Sequence, residues 1–174
     1  MPLPLLSKPS SSELPDFHIP HAEKIDWMIE THGYALEAVA AQPEADPPIG
    51  SCTYTIGFPE AFGFADVVVF GLTPAAAGGL LGLLADMLRG GTEIPIGVEV
   101  VGLFDGEQRA LFVNVDVADH VDTFATAIAW YRSTDPPSLP VVQLLWPDRR
   151  GFLPTEHGYD ARLRWAQPVI GTAS

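Results

Sequence analysis

The chain has 174 residues, 47% of them apolar and 18% charged, with 22 acidic against 9 basic side chains for a net charge of −13. That length and apolar content suit one domain with a real core and exclude global disorder. The acidic balance repels DNA, RNA and anionic lipid, so neither a nucleic-acid nor a membrane partner is expected, and the lone Cys52 excludes an internal disulfide and any multi-cysteine zinc cage.

Residues 1–16 carry Pro2, Pro4, Pro9 and Pro15 and lack a basic start before a long apolar run. They read as a flexible arm and not as a signal peptide, ahead of a single domain over 17–174. The longest apolar run, Pro74 to Ala85, falls short of the roughly 20 residues that cross a bilayer, which points to a soluble, cytoplasmic protein. Ala22, Ile25, Met28 and Ile29 recur at helical spacing over His21 to His32, and Gly33 stands where a left-handed cap belongs. Tyr34 to Ala40 reads as a strand, and the proline-rich stretch Ala41 to Gly50 as a loop. In Ser51 to Gly57, Cys52, Tyr54 and Ile56 alternate with Thr53 and Thr55, the pattern of a half-buried strand with a hydroxyl-bearing face. Asp66 to Gly71, with three consecutive valines, reads as a strand covered on both faces.

Thr73 followed by Pro74 is a helix start, and the helix should run to Arg89 with Leu80, Leu81, Leu84 and Leu88 toward the sheet. Gly78 and Gly82 would let a neighbour approach it closely. Gly97 to Phe104 and Gln108 to Val117 flank Asp105-Gly106, a dipeptide suited to a tight hairpin. A third helix should start near Asp119 and end before Pro136, and Leu139 to Trp146 forms the last strand. Strands dominate without regular βαβ alternation. The expected class is α+β, with a curved, largely antiparallel six-stranded sheet, able to close partly into a barrel, packed by about three helices. After Trp146 the chain holds too many prolines and glycines for a regular element and too many apolar residues for a disordered tail. It should wrap the body, with Asp160 capping a short helical turn, Leu163 inward, Arg162 and Arg164 outward, and one end of a pocket closed by it.

His18, His21 and Glu23 have metal-ligand chemistry, but Pro20 spoils their geometry and no third histidine lies close in sequence, so no metal is assigned. His32 reads as a partner of a helix C-terminus, and Cys52 as a buried, inert thiol. No phosphate loop and no G-x-S-x-G elbow occurs, so no cofactor is assigned. Residues 1–148 hold 20 acids and 5 bases, whereas 149–174 hold 2 acids and 4 bases. The tail arginines Arg149, Arg150, Arg162 and Arg164 would either fork onto an anionic ligand or staple the tail to the acidic body.

His32-Gly33-Tyr34, Thr53-Tyr54-Thr55-Ile56-Gly57, Val67 to Leu72 before a helix, Gln143 to Asp148 and Gln167-Pro168 together resemble, in order and spacing, the bacterial DUF4262 family over about residues 20–170. Where that family usually has His-Pro-Glu before its central strand, this chain has Phe64-Ala65-Asp66, and Thr155 replaces the usual aromatic after Pro154. The family has no assigned reaction, so the resemblance locates positions and leaves the chemistry to the residues.

Tyr54, Thr55, Gln143, Trp146 and Asp148 are polar or aromatic groups at strand ends, where scaffolds commonly present their sites. The expectation is a cofactor-independent enzyme acting on a small molecule between sheet and helix. Tyr54 would be the acid or hydrogen-bond donor and Asp148 the base or orienter, with Trp146 packing the substrate and Gln143 fixing its polar end. Thr55 would join the binding surface, and Arg149 and Arg150 would suit an anionic substrate. The alternative is a non-catalytic module that binds a small molecule or a protein through the Asn114 and Asp116 face or the arginine tail. Oligomeric state is left open.

Overall fold

A computed structural model describes residues 20–46, 48–132 and 138–172. The expected arm over 1–16, and His18, lie outside the described residues. Helix α1 (His21–His32) ends at Gly33 in the left-handed conformation, and strands β1 (Ala35–Val39) and β2 (Cys52–Ile56) follow as expected. A short helix, α2 (Phe58–Phe62), was not anticipated, because five residues carry no period. Its signals are local: Pro59 in the first turn and glycines with positive φ at both ends, Gly57 and Gly63. Then come β3 (Asp66–Phe70) and α3 (Pro74–Arg89), whose Thr73 hydroxyl accepts from the Ala76 N–H. Of the four leucines expected to face inward, Leu81 and Leu84 are buried with Ala77 and Ala85, while Leu80 and Leu88 are half-buried.

The expected hairpin is present but shortened. Strand β4 is only Val100–Val101, pairing Val101 with Arg109 and Val100 with Ala110 of β5 (Arg109–Val115). Gly102, at φ 105°, turns the chain out of the strand, so 102–108 form a seven-residue loop in place of a tight turn. The third expected helix is divided. A 3₁₀ turn at Val117–His120, capped by Asp116, precedes α4 (Ala125–Tyr131). Strand β6 (Val141–Leu145) follows, and the tail adds an unanticipated two-residue strand, β7 (Gly171–Thr172).

The fold is α+β, with four α-helices and a mostly antiparallel sheet of seven strands among the described residues. Its order is β1-β2-β3-β6-β5-β4, with β7 also on β5 and one parallel pair, β3 with β6. The partial barrel is not formed: β1 and β4 end the path at opposite sides and no pairing among the described residues joins them. Both faces are covered. On one face Cys52, Tyr54, Ile56, Val68 and Phe70 pack with Ile25 of α1 and with Phe124 and Ala127. On the other, Val67, Val69, Phe112, Val142 and Leu144 pack with Phe58 and with Ala77, Leu81, Leu84 and Ala85 of α3. β2 is therefore buried on both sides, Thr53 and Thr55 included, and not half-exposed as its alternation suggested.

The tail wraps the body as an ordered irregular segment. Leu153 is buried against Leu111, Val113 and Leu145. Asp160 caps the 3₁₀ turn Ala161–Leu163 by accepting from the Arg162 N–H. Leu163 is half-buried, Arg162 and Arg164 are exposed, and Trp165 is 55% exposed despite its size.

Candidate functional site

Three groups of polar side chains stand out, and the residues singled out from the sequence are shared among them. The first lies where α1 and α4 cover the β1–β2 side of the sheet. His21 Nε2 sits 2.9 and 3.1 Å from the two carboxylate oxygens of Glu37 on β1, and the Thr126 hydroxyl on α4 donates to the same carboxylate. Beneath them the Tyr54 hydroxyl accepts from the Ala127 N–H at 3.4 Å, and its ring packs on Phe124 at a centroid distance of 5.1 Å. Burial pushes the Tyr54 phenol up to about 12, so it stays protonated at neutral pH. Above this group, α1 and α4 enclose a groove of about 580 Å³ lined by His21, Ala22, Ile25, Asp26, Ala125, Thr126, Ala129, Trp130 and Arg132. Among the described residues no part of the tail lines it, in contrast to the expected closure of a pocket end by the tail.

The second group is buried at the junction of β2, α2, β3 and α4. Asp66 Oδ1 accepts from the Thr55 hydroxyl at 2.8 Å and the Phe58 N–H at 3.0 Å, and Oδ2 from the Tyr131 hydroxyl at 2.6 Å. Tyr131 in turn accepts from the Gly57 N–H at 2.7 Å, and Thr55 from the Val67 N–H at 3.0 Å. Burial pushes the Asp66 carboxyl up to about 6, against the hydrogen bonds from Tyr131, Phe58 and Thr55, which favour its charged form. Tyr131 is raised as well, first by burial and then by the neighbouring carboxylate.

The third group binds the tail. Gln143 of β6 donates to the Pro168 carbonyl at 2.6 Å and accepts from the Ile170 and Gly171 N–H groups. Gln167 returns the arrangement, accepting from the Trp146 N–H at 2.9 Å and donating to the Trp146 carbonyl and the Tyr159 hydroxyl. The Trp146 indole donates to the Phe70 carbonyl at 2.8 Å. The Asp148 carboxylate accepts from the N–H groups of Arg150, Phe152 and Asp160. Burial pushes its carboxyl up, but those three donors and the Arg150 guanidinium outweigh it and hold the group below the usual carboxylate range.

Gln143, Trp146 and Asp148 are thus brought together as anchors of the tail. Thr55 is placed with Asp66, and Tyr54 beneath α4. Tyr54 and Gln143 share a sheet row through Val68, but their polar atoms serve different elements. Asp148 and Tyr54 share no hydrogen-bonding partner among the described residues.

The arginines staple, though differently from expectation. Arg150 and Arg164 hold carbonyls within the tail, at Gly158, Pro154 and Glu156, and Arg162 pairs with Asp160. The body grips the tail through Arg109, which is bonded to Glu156, Glu99 and the Gly151 carbonyl. Arg149 is exposed. Cys52 is free and buried, with burial raising its thiol to about 12.

Sequence reasoning missed Glu37, Thr126 and Trp130 at the groove, and Asp66 and Tyr131 in the buried cluster. Asp66 carried a usable signal, since a carboxylate opening an all-apolar strand must find donors once both faces are covered. The others come from separate elements and have no common spacing.

No curated protein and no solved structure matches the chain. Residues 28–160 match the family model described as Domain of unknown function (DUF4262), and since that match covers most of the chain, the protein belongs to the DUF4262 family.

Proposed function

We propose that this protein binds a small molecule with an apolar or aromatic body and an anionic end, in the groove between α1 and α4, without transforming it. The observation that carries this reading is the groove itself. Its volume of about 580 Å³ lies in the range of small-molecule sites, and its lining combines Ile25, Trp130 and three alanines with His21, Asp26, Thr126 and Arg132. Arg132 takes a positive φ of 53° at the end of α4, and no carboxylate among the described residues forms an ion pair with it, which suits it to an anionic group. Binding is favoured over catalysis because Tyr54 and Asp148 spend their polar atoms on backbone groups of different elements. No helix among the described residues is long and apolar enough to cross a membrane, and the lone, buried, free Cys52 agrees with a cytoplasmic setting.

The test uses 1-anilinonaphthalene-8-sulfonate, which has the required aromatic body and anionic end. Titration followed by fluorescence should give saturable binding. Ala129→Trp, which fills the groove from an exposed position, should abolish it, and Arg132→Ala should weaken it. Unchanged affinity in a folded Ala129→Trp variant would overturn the reading.

A further inference from the structure

We propose that Asp66 and Tyr131 form a proton-operated latch on α4 that sets how firmly that helix closes the groove. The regulatory part rests on the groove reading above; the latch itself does not. α4 has only seven residues, and its last, Tyr131, reaches the sheet through the 2.6 Å bond to Asp66 and the 2.7 Å bond from Gly57. Its neighbours Trp130 and Arg132 line the groove, so what holds Tyr131 also positions the groove wall.

The hydrogens of this cluster are assigned by its geometry. Gly57 and Phe58 can only donate from their backbone nitrogens. The Thr55 hydroxyl already accepts from Val67, and therefore donates to Asp66. Asp66 Oδ1 thus has both acceptor sites filled, and Oδ2 takes the Tyr131 proton. Both acceptor sites of Oδ1 are taken, and the one left open is the second lone pair of Oδ2. A proton taken up from solvent must bind Oδ2, the oxygen facing Tyr131. Tyr131 then donates to a neutral acid instead of a carboxylate, and a short charge-assisted bond becomes a neutral one of about half its strength. Asp66 becomes the neutral acid, Tyr131 stays a neutral phenol, and no other group changes its proton count.

Every hydrogen-bonding partner of the carboxylate among the described residues is neutral. Thr55 comes from β2, Phe58 and Gly57 from the start of α2, and Tyr131 from α4; the other charge acting on Tyr131 is Glu60 of α2, a further acid. With no basic side chain among the described residues to offset it, burial pushes the carboxyl up to about 6, which brings the event near physiological pH.

Trp130 supplies the reporter. In the full chain, its indole N–H resonance, assigned by Trp130→Phe, should shift with a midpoint near pH 6 between pH 5 and 8. A His21→Gln background removes the groove imidazole, so that the transition reports on Asp66. The transition should vanish in Asp66→Asn and in Tyr131→Phe, the second variant leaving the carboxylate two of its donors should the first fail to fold. A transition that survives in either folded variant, or a flat wild-type resonance, overturns the latch. Affinity for 1-anilinonaphthalene-8-sulfonate should fall roughly fivefold or more below pH 6 in the wild type and stay level in Tyr131→Phe. Absence of probe binding at every pH, with the Trp130 transition intact, sinks the groove reading and upholds the latch.

Discussion

Asp66 shows how one buried residue sets a pH dependence. Its folded-state value of about 6 stands above the ordinary 3.8, so between those values the native chain holds a proton that the unfolded chain has released. The stabilisation is complete below about pH 4 and is lost as pH rises through 6. Asp66→Asn removes this dependence. The stability of wild type relative to the variant should therefore fall by roughly 1–2 kcal/mol between pH 5 and pH 7.5, read from urea unfolding curves. A difference that does not move with pH would show that Asp66 titrates as an ordinary carboxyl. Gly171 is governed by space instead of charge: a Cβ there would lie 2.6 Å from the Asn114 carbonyl oxygen and from Val113 Cγ2, so only glycine lets β7 lie on β5.

At the scale of elements, the tail behaves as part of the core. Gln143 and Gln167 replace a strand partner with side-chain amides, each satisfying backbone groups that would otherwise be buried without hydrogen bonds. Leu153 and Tyr159 bury large side chains, and Arg109 fixes the segment from the body side. Deleting residues 152–174 should destabilise the domain by about 3–6 kcal/mol, since two large buried side chains contribute roughly 1.5–3 kcal/mol each. Chemical denaturation checks this, and a truncated chain as stable as the whole would reduce the tail to an appendage. α3 depends on different forces. Its Thr73 cap and Pro74 start match its sequence closely, and Gly78 and Gly82 face Leu36 Cδ1 and the Tyr34 hydroxyl, where added Cβ atoms would lie at 3.4 and 3.5 Å.

At the scale of the molecule, the charge of −13 is distributed so that the few bases are largely spent internally. Arg109 is raised by its bonds to Glu156 and Glu99, and Arg150, Arg162 and Arg164 hold tail carbonyls or a tail carboxylate. The basic character of residues 149–174 is therefore not displayed as one patch. The protein should pass through a heparin column at low salt without retention, and retention would reveal a basic surface this arrangement does not offer. The two-faced sheet also explains why the hydroxyl side of β2 is not a surface: α2 and α3 cover it as fully as α1 and α4 cover the other.

Local periodicity and punctuation by themselves determined α1, α3, β1, β2, β3 and β6 to within a residue or two, the α+β class and the Asp160 cap, while the motif blocks carried the resemblance to the family. Each depends on neighbours along the chain: Gly33 ends α1 and Thr73-Pro74 starts α3 through bonds a few residues long. The tertiary structure decided what those signals do not carry. β7 exists because Gly171 fits against β5, α2 is tied to β3 because Asp66 accepts from Phe58, and the groove exists because α1 and α4 meet above β1 although about a hundred residues separate them. The same holds for Tyr54, Gln143 and Asp148. Their residue types suggested chemistry, but what a buried polar side chain does depends on which backbone groups packing leaves unsatisfied around it, and that is known only once the layers have met.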